Sequence, residues 1–149
     1  MVTNNLKKIW SARMSTTSTP SVQLTNIDGT SYSGSVSNVI PTTYSTYPSG
    51  NNGFYIAVGS GNTEPTLNDV SLESEITTLT NIGGVTNNAE YGITYNATLT
   101  NTTVNDVIIK EYGIYVYSGA WKMLTRTVLD NPITLEAGEI ATIAINLGF

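Results

Sequence analysis

The stretch from Val107 to Leu129, VIIKEYGIYVYSGAWKMLTRTVL, leaves few folds open to this chain. It reads as two long β-strands joined by a tight turn at Ser118-Gly119-Ala120, where Gly119 supplies the positive φ that hairpin turns need. Alternation places Ile109, Glu111, Gly113, Tyr115 and Tyr117 on one face of the first strand. Ile108, Lys110, Tyr112, Ile114 and Val116 fall on the other. Apolar residues on both faces predict a strand at least partly covered on both sides. Trp121, Met123 or Leu124, Thr125, Thr127 and Leu129 form the return strand. A two-stranded hairpin is marginal by itself, so the rest of the chain must supply covering layers.

The remaining segments are suited to that task. Val22 and Leu24 alternate with Gln23 and Thr25 before an Asp28-Gly29 hairpin turn, and Thr30 to Ile40 returns. Phe54 to Val58, Ile76 to Thr80 and Glu90 to Thr100 are further strands, the last with Tyr91, Ile93, Tyr95, Ala97 and Leu99 in alternation. Asp130-Asn131-Pro132 is expected to break the chain. Ile133 to Glu136 and Ile140 to Leu147 then close it around an Ala137-Gly138-Glu139 turn. Two long loops stand out, residues 41–53 and 59–74, the second with room for one helical turn. Short strands at regular spacing without crossover helices predict an all-β antiparallel sandwich, of jelly-roll or Greek-key/Ig-like type.

Asn4 to Met14 is the one helical candidate. Leu6, Ile9, Trp10 and Arg13 follow helical spacing, and Thr3 or Asn4 is placed to cap it. So short a helix needs a surface to pack on, either its own sandwich or another subunit. The polar linker Ser15 to Pro20 lets it reach outward, which divides the chain into an arm, residues 1–19, and a sandwich domain, residues 20–149.

Composition narrows the chemistry. Charged residues make up 11 % of the chain and the net charge is −5, which argues against nucleic-acid binding. Lys7, Lys8 and Arg13 have no acid near them, while the rest of the chain carries three basic and eleven acidic residues, a balance of −8. The absence of Cys and His removes disulfides, thiol nucleophiles, the commonest general base and most zinc and haem sites, and no cofactor is expected. No hydrophobic run is long enough to span a membrane, and LKKIWSARM lacks the apolar stretch of a signal peptide, so synthesis in a cytoplasm is expected.

Glu73 and Glu75, with Asp69 near, form the one carboxylate group worth testing for glycoside hydrolysis or, as Asp69 and Glu73, for calcium. Neither has an organising spacing, and a solvated acidic loop is the favoured reading. Gly59-Ser60-Gly61-Asn62 is similar to the start of a phosphate-binding turn but lacks the Lys and the following helix. A sharp turn explains its glycines better. Arg126, a lone basic residue on a central strand, predicts a structural ion pair with Glu111. Asn96-Ala97-Thr98 and Asn101-Thr102-Thr103 match the glycosylation pattern, as chance allows in a chain rich in Asn and Thr. Tyr44 and Tyr47 are the candidate contacts for a glycan or a protein neighbour.

The run Tyr55-Ile56-Ala57-Val58-Gly59-Ser60-Gly61-Asn62-Thr63-Glu64-Pro65-Thr66, with Asp69 and Leu72-Glu73-Ser74-Glu75-Ile76 after it, resembles a segment of tailed-bacteriophage virion proteins. Glu111-Tyr112-Gly113-Ile114-Tyr115, Leu124-Thr125-Arg126-Thr127-Val128-Leu129, Pro132-Ile133-Thr134-Leu135 and Ala137-Gly138-Glu139 resemble the ending of that group. The likeness is one of turns and strands and brings no site residues with it. It implies a non-enzymatic virion structural protein. The lack of a coiled coil or shaft favours a head-surface component (capsid auxiliary or decoration) or a connector over a tail-fibre or baseplate component. Its implied partners are major capsid, portal, neck or tail proteins and further copies of itself in a homo-oligomer, with no nucleic-acid or membrane partner. On that reading Leu6, Ile9 and Trp10 are the docking anchor and Lys7, Lys8 and Arg13 its charged rim. Deleting residues 1–15 is then expected to leave the sandwich folded. The alternative is a carbohydrate-binding module that recognises the host surface through the loops at 41–53 and 59–74.

Overall fold

The computed structural model describes residues 1–14, 20–36, 54–79, 81–88 and 92–148. Among them lie one helix, α1 (Asn4–Arg13), and the strands β1 (Ser21–Thr25), β2 (Ser31–Ser35), β3 (Phe54–Gly59), β4 (Glu75–Leu79), β5 (Asn81–Asn88), β6 (Gly92–Thr100), β7 (Val107–Ser118), β8 (Ala120–Leu135) and β9 (Ile140–Gly148). Every strand pair is antiparallel. A four-stranded sheet runs β4-β3-β7-β8, a three-stranded sheet runs β5-β6-β9, and β1-β2 stands as a separate hairpin. Ile56, Val58, Leu79, Ile109, Ile114 and Leu135 of the larger sheet pack on Ala97, Leu99 and Ile145 of the smaller. The fold is an all-β sandwich with a short N-terminal helix.

β7 lies inside the larger sheet, paired to β3 on one side and β8 on the other. Both of its faces are covered, as its composition predicts. Ile114 faces the sandwich core, whereas Tyr115 packs on Tyr55, Ala57, Leu72 and Met123 under the loop between β3 and β4. Strict alternation would put Ile109 beside Glu111, yet Ile109 joins Ile114 in the core. The register shifts between them: Ile109 pairs with Ile133 and Glu111 with Val128, so residues 129–132 of β8 oppose Lys110 alone. Such a bulge re-aims side chains. It also accommodates Asp130-Asn131-Pro132, which does not end the strand, because a bulged position owes the ladder no N–H.

β5 is the strand that propensity misses. Asn81-Ile82-Gly83-Gly84-Val85-Thr86-Asn87-Asn88 is poor in β-formers. It is nonetheless held along its length by β6, with a shift of register between Gly83 and Val85. Neighbouring strands override local preference here.

The N-terminal segment is part of the body rather than an arm. Val2 bridges Thr125 on the outer edge of β8. The Thr3 N–H donates to the Leu124 carbonyl at 2.9 Å and the Arg126 N–H to the Met1 carbonyl at 3.0 Å. Residues 1–3 thus act as a short extra strand. The Thr3 hydroxyl does not cap α1; it donates to the Met123 and Leu124 carbonyls. Leu6 and Ile9 are buried, and Ile9 packs with Val22, Leu24, Val36 and Val116 in a second core beside the sandwich. Of the two surfaces available to the helix, its own chain is the one it uses.

Candidate functional site

The densest polar constellation among the described residues surrounds Arg126 on β8. Glu111 and Arg126 lie two positions apart across the β7-β8 ladder, where Gly113 pairs with Arg126 and Glu111 with Val128. Their ion pair, expected from sequence, forms with Arg126 Nε 2.8 Å from Glu111 Oε2, and both side chains are buried. Arg126 Nη1 reaches Asp69 at 2.9 Å, and Nη2 reaches Glu73 at 3.4 Å. One guanidinium therefore gathers a carboxylate from β7 and two from the loop between β3 and β4.

The carboxylates hold that loop in turn. Glu111 Oε1 accepts the N–H groups of Gly61 at 3.1 Å and Ser74 at 2.9 Å, joining both ends of the loop to β7. Glu73 Oε2 accepts the Asn62 and Thr63 N–H groups at 2.8 and 2.9 Å. Asp69 accepts the Thr66 N–H at 3.0 Å. Below them, the Leu72 N–H donates to the buried Tyr115 hydroxyl at 2.9 Å. Gly59 and Gly61 serve close approach rather than a sharp turn. Neither is among the positive-φ glycines, and a Cβ on Gly61 would lie 2.5 Å from Glu111 Oε1.

The loop carboxylates are bonded within the fold rather than left to solvent. Burial works to raise the Asp69 carboxyl, but hydrogen bonds from Thr66 and Arg126 outweigh it and hold it below the ordinary range. Hydrogen bonds from Thr63, with those of Asn62 and the charge of Arg126, do the same for Glu73. Both are held as anions. The Arg126 guanidinium occupies the place between Asp69 and Glu73 that a calcium ion would need. Burial and the nearby Glu111 push the Glu75 carboxyl up. The constellation is an electrostatic clamp on a loop.

Asp69 and Glu73 have folded-state pKa values below their ordinary 3.8 and 4.5, so their stabilisation is complete above those values and lost as pH falls through the depressed ones. Glu75, raised above 4.5, works oppositely and gains stability as pH falls through its raised value. The melting temperature should therefore change little from pH 6 to about 5 and drop steeply below about pH 4. Calorimetry across that range, with Asp69→Asn as the comparison, checks this: the variant should show a shallower acid limb, and an identical limb would contradict the clamp.

A second buried cation sits at the β7-β8 hairpin tip. Lys122 Nζ donates to the Ser118 and Ala120 carbonyls, each at 2.8 Å, and lies 4.1 Å from the centre of the Tyr32 ring. Burial pushes its pKa down. It ties the hairpin tip to β2 and is the inward-facing charge that the sequence reading did not single out. Asn101, also unremarked as a structural residue, is buried and donates through Nδ2 to the Asn105, Leu135 and Glu136 carbonyls. That amide is engaged in the fold rather than presented for glycosylation.

The proposed docking residues are divided by the fold. Lys7, Lys8 and Trp10 are exposed on α1, whereas Leu6 and Ile9 are buried in their own chain and cannot anchor a neighbour. The helix is rotated relative to the predicted stripe because Asn5 turns inward: its Nδ2 donates to the Thr25 and Met123 carbonyls at 2.8 and 3.1 Å. Arg13 ends α1. Tyr44 and Tyr47 lie outside the described residues. Comparison of the chain with family models, with curated proteins and with solved structures finds no match.

Proposed function

We propose that this chain is a non-enzymatic structural component of a tailed-bacteriophage particle, placed on the head surface or at a connector. The observation that carries the reading is what the shared residues do. Gly59, Gly61, Asp69, Glu73, Glu111 and Arg126, which belong to the segments that resemble virion proteins, meet in one loop clamp. A likeness carried by such residues is a likeness of architecture, and it suits a protein whose task is to hold shape. Further copies of itself and the capsid, portal, neck or tail proteins are its proposed partners. With Leu6 and Ile9 committed to the fold, the surface offered to them by α1 is Lys7, Lys8 and Trp10.

Immunogold labelling of purified particles with antibody against this chain tests the reading. Label on the head or at the neck is expected. Label confined to fibre tips would favour the host-binding alternative, and unlabelled particles would refute a virion role.

A further inference from the structure

β1 pairs with β2 along one edge, and along the other Ser21 and Gln23 have no backbone partner among the described residues. The Val36 N–H donates to the Pro20 carbonyl at 3.0 Å and the Asn26 N–H to the Thr30 carbonyl at 2.8 Å. Val22 faces Gly34 and Leu24 faces Tyr32 between those bonds. In an antiparallel ladder, hydrogen-bonded pairs alternate, so Val22 and Leu24 exchange backbone bonds with β2, in phase with the Pro20 and Asn26 bonds at its ends. The N–H and C=O groups of Ser21, Gln23 and Thr25 then point to the other edge. Val22 and Leu24 are buried on the inner face, while Ser21 and Gln23 are exposed.

The Thr25 position of this edge is already filled by an imitation of a strand. Asn5 Oδ1 accepts the Thr25 N–H at 2.8 Å and Asn5 Nδ2 donates to the Thr25 carbonyl at 2.8 Å, as the peptide group of a neighbouring strand would. The next two positions, Gln23 and Ser21, open into a groove of about 580 Å³ between β1 and the Lys8, Ser11 and Ala12 side of α1. No backbone partner for Gln23 or Ser21 on that edge occurs among the described residues. An edge of this kind is a template for strand addition.

We propose that this edge binds an extended acidic segment of a partner protein by β-strand addition, with Asn5 marking the end of the track. The acidic character follows from the charge around it. Lys8 lines the groove, Lys7 is exposed on the same helix, and no acidic residue precedes Asp28 in the chain. The remainder of the chain carries three basic and eleven acidic residues and would repel such a segment elsewhere. Main-chain bonds to Gln23 and Ser21 supply the affinity, and Lys8 selects the charge. The inference goes beyond the particle reading and does not rest on it.

The test is a selection of random dodecapeptides from a display library on the immobilised full chain, followed by fluorescence anisotropy with the enriched peptides. The peptides should combine Asp or Glu with β-branched residues. Gln23→Pro removes the outward N–H without touching the β1-β2 bonds, as edge prolines do. It should weaken binding roughly tenfold or more, since a lost main-chain bond and a blocked edge act together. Lys8→Glu, on the exposed helix surface, should weaken acidic peptides as well and serves if Gln23→Pro does not fold. The proposal is overturned if no peptide is enriched, if Gln23→Pro and Lys8→Glu bind as the parent does, or if neutral or basic peptides prevail. Self-association abolished by Gln23→Pro would assign the edge to a second copy instead and overturn the proposal as stated.

Discussion

Arg126→Met should be among the most damaging single substitutions in this chain. It leaves Glu111 buried with its countercharge gone and removes the group that gathers Asp69 and Glu73. Breaking a buried pair by deleting one partner costs about 3–5 kcal/mol, because an unpaired charge stays in the interior. For a domain of this size, each kcal/mol moves the midpoint by roughly 2–4 °C, so a fall of about 6–20 °C is expected. Differential scanning calorimetry at neutral pH reads it. Arg126→Met combined with Glu111→Gln should recover part of the loss, since the amide keeps an acceptor for the Gly61 and Ser74 N–H groups without the charge. Limited proteolysis should first cut the single variant between residues 60 and 74. A midpoint within 2 °C of the parent would mean that the clamp contributes little.

Deletion of residues 1–14 should be worse, and here the structure reverses the expectation drawn from sequence. The segment carries Leu6 and Ile9, both buried, and each such aliphatic side chain is worth about 2–5 kcal/mol when truncated in a core. It also carries the backbone bonds that cover the edge of β8 and the Asn5 amide that joins β1 to β8. Together these losses approach the whole stability of an ordinary domain, roughly 5–15 kcal/mol. The truncated chain should be unfolded or aggregated at 37 °C, as circular dichroism and size-exclusion chromatography would report. A soluble, cooperatively melting product would show that the N-terminal segment is a separable arm after all.

The sandwich was legible because its central hairpin alternates so regularly, and because aromatic and aliphatic residues on both faces of β7 demand two covering layers. The Glu111–Arg126 pair was legible for a related reason, since a charge carried into the interior on a strand needs a partner. What sequence did not disclose depends on geometry that no local pattern encodes. Asn5 reads as a polar helix residue until Thr25 and Met123 are brought against it. Trp10 fits the helical stripe, but the rotation set by Asn5 leaves it outside. Asp130-Asn131-Pro132 reads as a terminator, and only the register with β7 shows it as a bulge within a longer strand. β5 had no signal of its own. Its strand character comes from β6, whose composition was far clearer.

The pairing of residues 1–3 with the edge of β8 has a bearing on how the protein is made. The ribosome delivers Val2 more than a hundred residues before its partner Thr125. Until β8 emerges, Leu6 and Ile9 have no complete core to enter, and only local hairpins such as β1-β2 can close. Contacts so distant along the chain are slow to form, because a long loop must be closed before they return any stability. Residues 1–3 thus leave the ribosome long before the edge they pair with, and their docking waits on β8.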